Sequence, residues 1–411
     1  MGLKPVILAG GVSEKLSMLV PSGRSKHCLR ILGKPVIYYP LNAVERVIEQ
    51  DIIVVYTFED VLKDALKYSR RRVIGVEQRG SGIEGAILSA ERELSDTDYF
   101  LLVFGDLIFD PNALSSLLGV FYKLEPTATV LTIPLNERFI STYGVAVVDI
   151  DGSVKKVVEK PSSIEEVEKP AYTLGGIYIL PTWILDYLKI GETLPEVINR
   201  LAKEHRVVSV HWSGLWIDIG YPADLLEASR QLLDRMKGTH IGDDVEIAET
   251  AIVKPPAYIE NGVIIDHYSV VKGPVYIGRD SFIGAHSFIR HYTSLESNNR
   301  IGAYTEVKNS ILQPYVFIDS HCFIGDSIVG ENTIVGPHTV TLNVLPRGEA
   351  PPRLREHIIS IPTIKKPVLK LGAIIGYNVR IGSDTILYPQ SIVPPETDIE
   401  PGTIYRTKTR I

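Results

Sequence analysis

The stretch VKGPVYIGRDSFIGAHSFIRHYTSLESNNRIGAYTEV, residues 271–307, places an aliphatic side chain at every sixth position: Val271, Ile277, Ile283, Ile289, Leu295, Ile301 and Val307. The series starts upstream at Ile241 and runs unbroken through Ile247, Val253, Ile259 and Ile265. It slips by one residue to resume at Leu312, Ile318 and Ile324, slips again to Val329 and Val335, and returns as Ile375, Ile381, Leu387, Val393 and Ile399. Neither the helical period of 3.6 nor the strand period of 2 sustains such a series, whereas a β-solenoid whose coil has three flat sides does, with each aliphatic residue pointing inward. Glycine follows many of these residues, as at Gly242, Gly278, Gly284, Gly302, Gly325, Gly336, Gly376 and Gly382, where the backbone is expected to turn a corner. From about 344 to 369 the chain is rich in Pro, Arg and Lys, cannot continue the coil, and is expected to protrude as a loop.

Upstream the period is different. Short apolar runs at 5–8, 52–56, 72–76, 99–104 and 129–133 read as buried strands, and 40–50, 61–69 and 85–94 carry apolar residues at helical spacing between them. Such alternation implies an α/β domain with a doubly wound sheet, whose ligands bind beyond the carboxyl ends of the strands. Strand-like pieces at 145–149, 154–158 and 176–180 suggest an antiparallel extension, so the sheet is mixed and Rossmann-like. A helix over 223–236 with Gly238 as its cap closes this half, giving domains 1–238 and 239–411.

Composition narrows the function. In 411 residues, 43 Lys+Arg face 49 Asp+Glu, a formal charge of −6, which gives no bulk attraction to nucleic acid or to an anionic membrane. No apolar run approaches the roughly 18 residues that span a bilayer. The opening residues show no signal stretch, so a cytoplasmic location is expected. Cys28 and Cys322 have no Cys-x-x-Cys partners and read as free thiols.

After the first strand, Gly10-Gly11 is followed by Ser13, Lys15, Ser22, Arg24, Ser25 and Lys26; glycines at a strand end admit phosphate oxygens, and the cations can neutralise them. With ILAGG at 7–11 and GKPVIYY at 33–39, this segment resembles the opening of the sugar-1-phosphate nucleotidylyltransferase family. Gln78 before Gly80-Ser81-Gly82, Gly105-Asp106, Tyr143-Gly144-Val145, Glu159-Lys160-Pro161, Gly175-Gly176-Ile177-Tyr178 and Trp216-Ile217-Asp218 follow in that family's order. Together with the hexapeptide half they resemble the bifunctional enzymes that join a nucleotidylyltransferase to a left-handed β-helix. The resemblance implies a nucleoside triphosphate and a sugar 1-phosphate as substrates and Mg²⁺ held by Asp106 and Asp218. It further implies Lys26 and Lys15 as catalytic cations, Gly10, Gly11, Gln78 and Gly80 around the nucleotide, and Gly144, Glu159, Lys160 and Gly176 around the sugar phosphate. A closed homo-oligomer, a trimer or larger, goes with the β-helix.

The departures from that pattern are specific. Val12-Ser13-Glu14-Lys15 stands where the family has x-G-T-R, and Ser25 replaces a proline before Lys26. Ile83-Glu84 interrupts the small-residue run after Gln78. In the β-helix, Ser320 and Phe323 occupy the places of the acetyltransferase His and Tyr, with His321 one residue away and His338 further on. Little or no acetyl transfer is therefore expected. The alternative to an enzyme is a regulatory or NDP-sugar-binding paralogue that partners an active subunit.

Overall fold

The computed structural model describes residues 2–137, 140–344 and 371–407. The chain forms two compact units that interleave in sequence. The first holds Met1–Val12, Gly23–Cys28 and Pro35–Asp218, and the second Ser13–Ser22, Leu29–Lys34 and Ile219–Ile411.

A nine-stranded mixed sheet forms the first unit. Leu3–Ala9 lies between Ile52–Tyr56 and Tyr99–Phe104, parallel to both, and Val73–Glu77 extends the parallel part. Ala171–Pro181 then runs antiparallel beside Tyr99–Phe104 and also pairs with Ala128–Ile133 and Val145–Val148. Side-chain alternation sends Ile7, Leu101 and Val103 into one core and Val6, Leu8 and Leu102 into the other, as a strand period of 2 requires. Helices cover both faces, so the parallel strands are apolar throughout. Two helical segments end earlier than their apolar spacing suggests: Tyr38–Glu45 stops well before residue 50, and the 85–94 stretch divides at Ala90 into Gly82–Ser89 and Glu91–Leu94.

The second unit is built on a coil with three parallel sheets of eight strands each. Ile259, Ile277, Leu295, Leu312, Val329, Ile375 and Val393 stack in register along one side, all completely buried. The one-residue slips shorten single coils without displacing this column. The first coil has no preceding coil to cover it, which leaves Ile241 49% exposed. The helix Pro222–Leu233 belongs to this unit and packs on the strands Thr293–Leu295 and Ile311–Leu312.

Two expectations are corrected. The corners are not made by the glycines that follow many of the aliphatic residues. Positive φ occurs three residues past the aliphatic position, at Asp280, His286, Tyr292, Asn298 and Tyr304 among others. Those glycines instead let adjacent coils approach, since a Cβ on Gly278 would lie 2.7 Å from the Glu296 carbonyl carbon and one on Gly302 2.5 Å from the Ser320 nitrogen. Gly238, with φ +69°, does not cap the helix, which ends at Leu233 with Asp234 as its cap. The loop expected at about 344–369 lies, beyond Val344, outside the described residues.

Candidate active site

The parallel strands of the first unit deliver the polar residues to their carboxyl ends. Where Leu3–Ala9 stops, the Thr57 hydroxyl donates to the Gly10 carbonyl at 2.9 Å. A Cβ on Gly10 would stand 1.8 Å from Gln78 Oε1, so a larger residue here would have to push the Gln78 side chain aside. The Gln78 amide donates to the Gly80 carbonyl at 3.0 Å, which gathers Gly10, Gln78 and Gly80 into one group. A Cβ on Gly11, by contrast, would meet no atom within 4 Å, and the residue is exposed to solvent.

On the adjoining strand, the Gly105 N–H donates to the Leu8 carbonyl at 2.8 Å and sets Asp106 directly beyond the strand end. The Lys26 amine donates to Asp106 Oδ2 at 2.5 Å, with only 12% and 18% of the two side chains exposed. Burial is the strongest single influence and opposes ionisation of Asp106, but the Lys26 charge, the hydrogen bond that Lys26 donates and smaller neighbouring contributions together hold the carboxyl below the usual range. His27 beside it is pushed down to about 3, first by burial and then by Lys26; its Nδ1 lies 2.7 Å from the buried Ser25 hydroxyl. It is therefore a neutral packing element and not a charge carrier.

Asp218 reaches the same place by a different route. Trp216–Asp218 pairs antiparallel with Leu107–Phe109, and Asp218 stands opposite Leu107, one residue from Asp106. The Trp216 indole donates to the Gly175 carbonyl at 2.9 Å and packs edge-on against Tyr143, which fixes that strand. Trp216 is a packing residue. The pairing brings the Asp218 backbone beside Leu107, the residue after Asp106, and hard oxygen donors such as these carboxylates suit an oxygen-seeking divalent cation. Among the described residues no three His, Cys, Asp or Glu side chains converge as a complete metal cage.

A third group forms around the long antiparallel strand. Gly176, with φ +68°, sits where the strand changes partners, and a Cβ there would press on Phe104 and Leu107, the residues flanking Gly105-Asp106. A Cβ on Gly144 would lie 2.9 Å from Glu159 Oε2, and Lys160 Nζ stands 3.4 Å from Glu159 Oε1. Burial, with a further contribution from Glu159, raises the Tyr178 hydroxyl far above its ordinary value.

Lys15 falls in the second unit, where its amine donates to the Tyr221 hydroxyl and lies 4.0 Å from the centre of that ring. Arg24 Nε is 3.9 Å from Asp60, which also accepts the Ser25 N–H. Glu84 accepts the Leu194 N–H at 2.9 Å and so ties down a helix start. Cys28 and Cys322 are buried and free; burial raises both thiols, and Asp60 and Asp64 add to the effect at Cys28. Sequence reading missed Thr57, His27 and Tyr178; only Tyr178, inside the Gly-Gly-Ile-Tyr run, had a local signal.

In the coil, His321 belongs to a column of rings. Tyr268, His286, Tyr304 and His321 stack within 15° of parallel at 4.8–4.9 Å, each at a positive-φ corner, and His338 follows at 5.2 Å. His338 Nδ1 is 3.2 Å from Asp384 Oδ1. Asn343 donates to Asp326, which also accepts from Asn309 at 2.6 Å.

A family model described as Nucleotidyl transferase matches residues 4–235, and one described as GMPPB C-terminal domain matches residues 271–409. The chain is 31% identical over 393 residues to the protein named Bifunctional protein GlmU of Methanocaldococcus jannaschii, covering 93% of this chain and 90% of that one. It is 30% identical over 419 residues to the bifunctional sugar-1-phosphate nucleotidylyltransferase/acetyltransferase of Sulfurisphaera tokodaii, with 98% and 97% covered. A probable mannose-1-phosphate guanylyltransferase 1 of Oryza sativa subsp. japonica is 26% identical over 61% of this chain and 73% of its own. Among the described residues no helix is long and apolar enough to cross a membrane.

Proposed function

This chain belongs to the nucleotidyl transferase family, and from that premise we propose that it joins a nucleoside triphosphate to a sugar 1-phosphate, forming an NDP-sugar and releasing pyrophosphate. The observation that supports the reading is the Lys26–Asp106 pair just beyond the strand Tyr99–Phe104, with Asp218 in register with Leu107 beside it. In the reaction an oxygen of the sugar phosphate bonds to the α-phosphorus, the bond to the β-phosphate breaks, and pyrophosphate leaves with that electron pair. Two anions must meet, so the site supplies positive charge and alignment and needs no protein nucleophile.

Asp106 and Asp218 would hold Mg²⁺, which when bound supplies cationic charge against the triphosphate. Lys26 moves its amine from Asp106 to the α-phosphate, where its charge is strongest in the low-dielectric site. Lys15 is the second cation proposed, for the departing pyrophosphate. The Gly10 and Gly11 amides receive phosphate oxygens, while Gln78 and Gly80 face the base. Glu159 accepts from sugar hydroxyls and Lys160 takes the sugar phosphate, with Gly144 and Gly176 leaving room for it.

The test is pyrophosphate release by the purified protein with each NTP, a panel of sugar 1-phosphates and Mg²⁺. The rice relative, named a probable mannose-1-phosphate guanylyltransferase, puts GTP with mannose 1-phosphate in that panel. Turnover with one pair is expected; tight NDP-sugar binding with no turnover on any pair would replace the enzyme by a regulatory paralogue.

We propose no acetyl transfer by the coil. Ser320 is too weak a base, Phe323 has no hydroxyl to offer, and His321 is committed to its ring column. A thiol-release assay with acetyl-coenzyme A and glucosamine or galactosamine 1-phosphate is expected to stay at background. Turnover abolished by His321→Ala or His338→Ala would overturn this.

A closed homo-oligomer, a trimer or larger, is proposed from an outward row on one side of the coil, where Ile264, Phe317 and Ile334 are 40%, 37% and 45% exposed. A cytoplasmic setting completes the proposal.

A further inference from the structure

The chain around Lys26 is divided between the two units. Residues 23–28 belong to the first, while Ser13–Ser22 and Leu29–Lys34, which bracket them in sequence, belong to the second. Within the second unit, each bracketing segment is tied to the coil by specific bonds. The Tyr377 N–H donates to the Met18 carbonyl at 3.2 Å. The Gln313 carboxamide takes both backbone groups of Arg30: Oε1 accepts the Arg30 N–H at 3.0 Å and Nε2 donates to the Arg30 carbonyl at 2.8 Å. Glu296 accepts the Gly33 N–H on Oε2 at 2.7 Å and the Ser294 hydroxyl on Oε1 at 2.7 Å.

The fit at this clamp is close. Gly33 has φ +75°, and a Cβ there would stand 2.0 Å from the Tyr276 hydroxyl and 3.1 Å from Glu260 Oε1. Glu296 is completely buried and Gln313 only 2% exposed. A buried carboxyl and a buried carboxamide are costly unless every bond is made, and most of these bonds go to the backbone of one six-residue turn. The aliphatic period of the coil needs neither side chain, so their presence calls for a role other than filling the coil.

Resting on the reading of the first unit as a nucleotidyl-transfer site, we propose that Glu296 and Gln313 are positioning residues for Lys26, acting by clamping the turn Arg30–Gly33 that begins four residues beyond it. They touch no substrate. Cys28 joins Leu29 by one peptide bond, so freedom gained at Arg30 is passed to the short 3₁₀ turn Lys26–Cys28, whose amine must leave Asp106 and find the α-phosphate in one geometry.

Four forms of the full chain test this: wild type, Gln313→Ala, Glu296→Ala, and Glu296→Gln, which keeps an acceptor for Gly33. The Gly33 amide is expected to exchange faster in Glu296→Ala and the Arg30 amide in Gln313→Ala, each accompanied by the amides of His27 and Cys28. With the thermal midpoint recording that the fold persists, kcat is expected to fall about ten-fold in both alanine variants with KM within about two-fold, and Glu296→Gln to retain wild-type turnover. A merely structural clamp would speed exchange at Arg30 and Gly33 alone and leave kcat unchanged, which overturns the proposal. If the wild type releases no pyrophosphate with any substrate pair, the functional reading falls, while the His27 and Cys28 amides still decide whether the clamp governs this turn.

Discussion

Asp106→Asn is expected to reduce pyrophosphate release at least ~10²-fold, with Asp218→Asn close behind, because each removes one of the two carboxylate charges proposed to hold the cation. Asparagine is the informative replacement. Alanine would also strip the partner from Lys26, a side chain only 12% exposed, and an unpaired cation at that depth destabilises the fold independently of catalysis. The amide retains an acceptor for the Lys26 amine while losing the charge, so turnover and thermal midpoint separate. The double variant should cost little more than either single one, since the two carboxylates act as one unit. Because the Lys26 charge and hydrogen bond, with smaller neighbouring contributions, together overcome the burial that opposes ionisation, the Asp106 carboxyl remains charged down through the ordinary carboxylate range. An acid limb of the rate profile near neutrality would therefore belong to another group. Turnover unchanged in both asparagine variants would remove these residues from the site.

The fold was legible where a period was long, and obscure where position depended on distant partners. An aliphatic residue every six positions can be satisfied only by stacked coils, and the column from Ile259 to Val393 follows from that spacing. The same repeat misled at the corners. Glycine after many of the aliphatic residues looked like a turn signal, yet the turns fall on Tyr, His, Asn and Asp three positions past the aliphatic one, and the glycines are set by how near the next backbone comes. That distance has no one-dimensional trace. In the first unit, the order of the Gly-Asp, Glu-Lys-Pro and Trp-Ile-Asp segments pointed to one family of folds, and the close approach of Gly176 to Phe104 and Leu107, which flank Gly105-Asp106, was not legible in that order. The Lys26–Asp106 pair spans 80 positions and had no local signal. Nor did the assignment of residues 29–34 to the coil's unit, since a short turn carries no period of its own.

Glu296 gives the second large expectation, and its sign is opposite to that of Asp106. Burial raises its carboxyl from 4.5 to about 7, against the hydrogen bonds from Ser294 and Gly33 and the charge of Arg30; Glu260 reinforces the rise. The Tyr276 hydroxyl, next to Gly33, stays protonated throughout this range and contributes no charge. With the folded value above the unfolded one, the folded state binds the proton more tightly. Glu296 therefore costs nothing below pH 4.5, where both states are protonated, and destabilises the fold progressively as pH rises from 4.5 through 7. At 1.36 kcal/mol for each unit, the full cost above that window is roughly 3 kcal/mol. Glu296→Gln stays neutral and escapes it. The glutamine variant and wild type should thus melt together at pH 4.5 and diverge by several degrees at pH 8, with the variant more stable. Comparing the two proteins at each pH cancels every other titrating group in the chain. A gap that is the same at both pH values would mean that Glu296 ionises in the folded state as readily as in the unfolded one, and that the buried carboxyl is compensated by its bonds to the clamped turn.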